Sequence, residues 1–105
     1  MGEFRIKYIK NESIERIHFG VPRGHKHYRL VVFLKSGEVL VFSEATVANI
    51  VRAYVTVKTH PLKRAVELVG VKLEERKEGY AEYQLLETDK SCSEVEEELE
   101  RIFKG

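Results

Sequence analysis

Ser43-Glu-Ala-Thr-Val-Ala-Asn-Ile-Val-Arg-Ala-Tyr-Val-Thr-Val-Lys-Thr59 is the stretch on which the fold class turns. At helical spacing, Val47, Ile50, Val51, Tyr54 and Val55 recur on one side. At strand spacing, Val51, Ala53, Val55 and Val57 alternate with Arg52, Tyr54, Thr56 and Lys58. The β-branched content favours a strand. The length of the run, and a serine at Ser43 able to cap it, favour a helix. We read a helix, which makes the chain α+β. On its wheel only Asn49, Arg52 and Thr56 form a clear polar stripe, so this helix is expected to be buried on most sides.

Upstream the pattern has period two. Phe4, Ile6 and Tyr8 alternate with Arg5 and Lys7, which predicts a half-buried strand with one cationic face. Asn11-Glu-Ser13 supplies turn chemistry. Residues 14–19 form a second short strand, and residues 28–34 form the most apolar strand, expected at the centre of the sheet. Ser36-Gly37 turns it back into a strand over residues 39–42.

Downstream, His60-Pro61 breaks the central segment, and proline is favoured at a first helical position. Leu62, Ala65, Val66 and Val69 make a short helical stripe that Gly70 can stop. Residues 71–77 and 80–88 flank Glu78-Gly79 and predict a second hairpin. Ser93 with Glu96 has the capping-box spacing. Val95, Leu99, Ile102 and Phe103 then give the last helix one apolar face, with Glu97 to Arg101 and Glu100 to Lys104 as favourable i,i+4 pairs. The predicted order is β-β-β-β-α-α-β-β-α: an antiparallel sheet in two hairpin regions, packed against two to three helices.

The chain has 105 residues, 43% hydrophobic and 33% charged, which fits a single domain over residues 1–105 and excludes disorder. No apolar run nears the roughly 18 residues of a membrane span, and the start of the chain lacks the apolar core of a signal peptide. A cytoplasmic protein is expected. The single cysteine, Cys92, excludes an intrachain disulfide and a multi-cysteine zinc site. It falls near a helix N-terminus, which favours a thiolate, but Glu94 and Glu96 oppose that. High Lys plus Glu with few amides resembles a hyperthermophile bias.

The net charge of +1 hides a gradient. Residues 1–36 carry eight Lys/Arg and three Glu, net +5, whereas residues 73–105 carry five Lys/Arg and eleven acidic groups, net −6. The basic end is compatible with an anionic partner. The loop over residues 20–29, Gly-Val-Pro-Arg-Gly-His-Lys-His-Tyr-Arg, concentrates that chemistry. Arg23, Lys26 and Arg29 around Gly24 suit phosphate, and Tyr28 suits a base. The Gly-Lys-Ser/Thr element of a P-loop is missing.

His25 and His27, two apart, fall on one side of an extended segment and can start a metal site, with His18, His60 or a carboxylate as third ligand. The predicted helix, His-Pro break, second helix and hairpin resemble a winged helix-turn-helix in topology. That resemblance implies Lys63 and Arg64 at the start of a recognition helix. The would-be wing carries Glu74, Glu75, Glu78, Glu82 and Glu87, which repel phosphate.

These readings converge on a small binding module, with Arg23, Lys26, Tyr28, Arg29, Arg5 and Lys7 contacting nucleic acid or another anionic partner weakly. No cofactor is expected. The apolar surplus of residues 47–57 predicts a homodimer. The alternatives are a metal-dependent or acid–base enzyme using His25 and His27, and a structural subunit of a larger assembly.

Overall fold

The computed structural model describes residues 5–75 and 81–104. Its elements are β1 (Ile14–Gly20), β2 (Arg29–Leu34), β3 (Val39–Ser43), α1 (Glu44–Thr59), β4 (Leu68–Lys72), β5 (Tyr83–Glu87) and α2 (Cys92–Lys104), with a 3-10 turn at Asn11–Ser13 before β1. The chain is α+β with two antiparallel sheets, ordered β1-β2-β3 and β4-β5. It divides into two units, residues 1–44 and 45–105.

In the first unit β2 lies at the centre, as its apolar run predicts. Ile17 pairs with Val32, which pairs with Leu40; Phe19 pairs with Leu30, which pairs with Phe42. Cross-strand partners share a face, so one face is wholly apolar and includes the buried Val32 and Leu34. On the opposite face Arg16 pairs with Phe33, which pairs with Val39, and His18 pairs with Val31, which pairs with Val41. A bulge near Glu15 shifts the register between Ile14 and Arg16. Gly37, at φ 96°, closes the β2–β3 turn, where its N–H donates to Leu34 O at 3.0 Å. Only glycine takes that φ without strain.

The predicted first strand does not form. Residues 5–10 are irregular and exposed, and Phe4 lies outside the described residues. Alternation alone does not make a strand when its apolar side chains stay largely exposed: Ile6 is 57% and Tyr8 62% exposed.

In the second unit α1 is a helix of 16 residues, and β3 runs straight into it, with Ser43 as the last strand residue. Its burial reverses expectation. The buried residue is Asn49, assigned by the wheel to the polar stripe, while Ile50, Val51, Tyr54 and Val55 are all at least half exposed. Asn49 Nδ2 donates to Ala45 O at 2.6 Å and to Gln84 Oε1 at 3.2 Å. A satisfied amide can be buried.

The predicted helix after Pro61 is absent. Residues 61–62 turn, 63–67 are irregular, and Leu68 and Val69 pair with Glu87 and Leu86 in the two-stranded sheet. A helix of so few residues is marginal without tertiary support, and Val69 and Val71 are better suited to the ladder. The helix-turn-helix resemblance falls with that helix. β4 therefore starts at Leu68 rather than at Val71, and the expected Glu78-Gly79 turn lies outside the described residues.

α2 starts two residues earlier than the Ser93/Glu96 spacing implies. Its cap is Ser91: the Glu94 N–H donates to Ser91 Oγ at 3.2 Å, and Ser91 Oγ donates to Glu94 Oε1. The same Ser-x-x-Glu pattern occurs twice in this stretch, offset by two, and the first copy wins. That places Val95 inward and buried.

Candidate functional site

The loop over residues 20–29 joins β1 to β2 at one end of the three-stranded sheet. Its tip is a turn in which the His25 N–H donates to Pro22 O at 3.0 Å. Gly24 sits third, at φ 84°, as a type II turn requires. Arg23 and Lys26 are exposed at this tip. The return leg is pinned by one carboxylate: the Tyr28 N–H donates to Glu44 Oε1 at 3.0 Å, and His27 Nδ1 lies 3.5 Å from the same oxygen. Glu44 and His27 form an ion pair when the imidazole is protonated.

Tyr28 and Phe19 stack across the base of the loop, with ring centroids 5.4 Å apart and planes at 16°. Arg29 Nη1 donates to Tyr28 O at 3.0 Å. On the second face of the sheet the Arg16 guanidinium lies over the Phe33 ring, 4.0 Å from its centroid, and His18 meets that ring edge-on at 5.1 Å. From sequence His18 is named only as a candidate third metal ligand, and Arg16 and Phe33 not at all. Their signal was available, since the β1–β2 register puts all three on one face, but the register is invisible until the bulge at Glu15 is known.

The six binding residues named from sequence are not equivalent. Arg23, Lys26, Tyr28 and Arg29 belong to the loop and the start of β2. Arg5 and Lys7 lie on the irregular N-terminal segment, off the sheet, and Lys7 is already paired with Glu38. Among the described residues, Arg5, Arg16, Arg23, Lys26, Arg29 and Lys35 have no carboxylate within ion-pair reach, whereas Lys10 lies 4.0 Å from Glu12.

The four histidines have separate surroundings. His18 contacts Phe33, His27 contacts Glu44, and His60 closes α1, its Nδ1 accepting the Leu62 N–H at 3.1 Å. His25 caps the loop turn through its backbone. No group of three or more His, Cys, Asp or Glu side chains among the described residues is placed to hold a metal ion.

In the second unit the surroundings of Cys92 go beyond the helix N-terminus expected from sequence. Cys92 is the first residue of α2; its Sγ donates to Leu62 O at 3.6 Å, and the backbone amides of Ala65 and Arg64 are the main groups that favour its thiolate. Together they push the thiol below its ordinary range, the Ala65 amide contributing most; the Arg64 charge helps, and partial burial and Glu96 oppose. Arg64 in turn pairs with Glu96 at 3.0 Å, which raises its own pKa.

No protein-family model matches the chain, and no match is found among curated proteins or solved structures. None of the helices among the described residues is long and apolar enough to cross a membrane.

Proposed function

We propose that residues 1–44 form a non-catalytic binding unit whose cationic surface holds an anionic partner, nucleic acid in particular. One observation carries this reading: the two units differ in how their charges are used. Residues 45–105 hold ten Lys/Arg and twelve acidic groups, net −2. Five of the eight cations described there are paired internally, in Lys63–Glu87, Arg64–Glu96, Lys72–Glu82, Lys90 with Glu67 and Glu98, and Lys104–Glu100, while Arg52, Lys58 and Arg101 are not. Residues 1–44 hold eight Lys/Arg and five Glu, net +3. Six of those eight have no carboxylate partner among the described residues.

Arg23, Lys26 and Arg29 supply the loop contacts, Arg16 and Arg5 extend the surface, and Lys7 contributes less because Glu38 already neutralises it. The binding is weak and salt-sensitive, since it rests on displaced counterions. Fluorescence anisotropy with a labelled RNA oligonucleotide at stepped salt tests it. About five phosphate contacts predict a log–log slope near −3.5, made shallower by Arg23→Ser with Lys26→Ser. Absence of binding to any polyanion at about 50 mM salt contradicts the reading.

The exposed side of α1 favours a second reading, of assembly rather than ligand. Exposed Val51 and Tyr54 and half-buried Val47 recur on the side opposite Asn49, flanked by exposed Ile50 and Val55. We infer that this side pairs with the same side of a second copy, giving a symmetric homodimer.

A further inference from the structure

We propose that the Phe19–Tyr28 pair is a stacking platform that makes this unit select single-stranded over duplex nucleic acid. The inference rests on the reading of residues 1–44 as an anion-binding unit and names the class of anion. Two aromatic rings already lie nearly parallel, yet neither is buried: Phe19 is 57% and Tyr28 46% exposed. A stacked pair that remains open has outer ring faces on which a further flat apolar group can be placed at little cost. The backbone at Tyr28 is held by the Glu44 carboxylate on its N–H and by the Arg29 guanidinium on its carbonyl, so the ring is presented from a fixed position.

The surroundings choose the occupant. Arg29 is adjacent in sequence, and Arg23 and Lys26 stand at the tip of the same loop without carboxylate partners. Cations beside an open aromatic pair match a ligand that alternates phosphates with flat rings, which is a single nucleic-acid strand. A Cβ at Gly20 or Gly24 meets no heavy atom within 4 Å apart from chain neighbours, so no other segment covers the loop at these two positions. In a duplex each base is covered on both faces by its neighbours, and only the phosphate contacts survive. A polyanion without bases likewise uses the cations alone.

The test compares a pyrimidine single strand of about 12 nucleotides, a duplex of the same length, and heparin. Wild-type protein is expected to bind the single strand roughly five-fold or more tighter than the duplex, the stacking of one base. Phe19→Leu with Tyr28→Leu keeps apolar bulk and removes both rings; it is expected to erase that preference and leave heparin binding unchanged. Tyr28→Phe is expected to retain the preference, and circular dichroism confirms that each variant is folded. A 2-aminopurine placed in the strand is expected to change its emission with wild type and not with the double leucine variant. Equal affinity for single strand and duplex in wild type, or a preference that survives the double leucine change, overturns the platform while leaving anion binding intact. Absence of binding to all three probes removes the underlying reading as well.

Discussion

Asn49 on α1 donates its side-chain N–H to Gln84 Oε1 on β5 at 3.2 Å, across 35 positions of sequence. Gln84 Nε2 donates in turn to Ala81 O at 3.3 Å, and Asn49 also donates to Ala45 O. The amide of Asn49 is therefore a donor bridge between a helix backbone and a strand side chain. That is a demanding role for a buried polar group, because both partners are acceptors.

Replacing this donor bridge separates hydrogen bonding from packing. Asn49→Ala leaves Gln84 Oε1 without its donor and costs about 1–3 kcal/mol, offset by a few tenths from the better helix propensity of alanine. Asn49→Asp is the more damaging change at neutral pH. It sets a carboxylate against the Ala45 carbonyl and the Gln84 oxygen, and only its protonated form can donate. Urea unfolding is expected to rank wild type above Ala above Asp at pH 7, with the Asp variant recovering toward pH 4. An Asp variant as stable as wild type at pH 7 contradicts the donor role.

The Lys90 ammonium lies 2.8 Å from Glu67 Oε2 and 3.1 Å from Glu98 Oε2, and Thr88 Oγ1 donates to Glu67 at 3.1 Å. Lys90 and Thr88 hold the Glu67 carboxyl below its ordinary range, Lys90 foremost, and the two carboxylates raise Lys90. A lowered carboxylate stabilises the fold above its unfolded pKa, about 4.3, and that contribution is lost as pH falls through the folded value. A raised lysine stabilises below its unfolded pKa, about 10.4, and its contribution is lost as pH rises through the folded value. Lys90→Met is therefore expected to reduce the melting temperature at pH 7, with the difference shrinking as the pH falls below 4. A difference that is constant from pH 7 to pH 2 rules out the linkage.

Cys92 is expected to react faster than an ordinary thiol. The Ala65 and Arg64 amides stabilise its thiolate, so the pH midpoint of its alkylation by iodoacetamide should lie below the ordinary value of about 8.5. Glu96→Gln removes the opposing charge and should lower that midpoint further. Arg64→Ala keeps the more important backbone contacts and should raise it only in part. A midpoint at or above the ordinary value shows that the two amides do not reach the sulfur.

The parts of the fold legible in sequence are those where local pattern and tertiary demand agree. β2 is central because residues 30–34 are apolar on both faces. α1 is helical because the segment is long and follows directly on Ser43. The strand over residues 80–88 contains β5, whereas the strand expected over residues 71–77 overlaps β4 only at Val71 and Lys72. What could not be read depends on partners distant in sequence. The wheel assigns Asn49 outward because it cannot see Gln84. Leu62, Ala65, Val66 and Val69 have helical spacing, yet Leu68 and Val69 go to a ladder whose other strand lies some 17 residues on. Two overlapping Ser-x-x-Glu patterns are equal until tertiary packing selects one. At the candidate site the loop cations were legible as composition, whereas the Phe19–Tyr28 stack and the Arg16–Phe33 contact required the register of β1 on β2.

The inverted burial of α1 makes the assembly reading testable with one substitution. Around a helix at 100° per residue, Lys58, Val47, Val51 and Tyr54 lie opposite Asn49, with Val55 and Ile50 beside them. Val51 is 52% and Tyr54 63% exposed, so a charged side chain at either position strains nothing within one chain. In an antiparallel self-pairing centred on Val51, the residue meets its own symmetry mate, and a charge there is set against itself. Val51→Lys is expected to leave the melting behaviour of the single chain within about 0.5 kcal/mol of wild type while converting a two-chain mass to a one-chain mass by light scattering. Tyr54→Glu should do the same from the neighbouring turn. A wild-type mass of one chain at tens of micromolar removes the pairing, and a two-chain mass that survives both substitutions moves it to another surface.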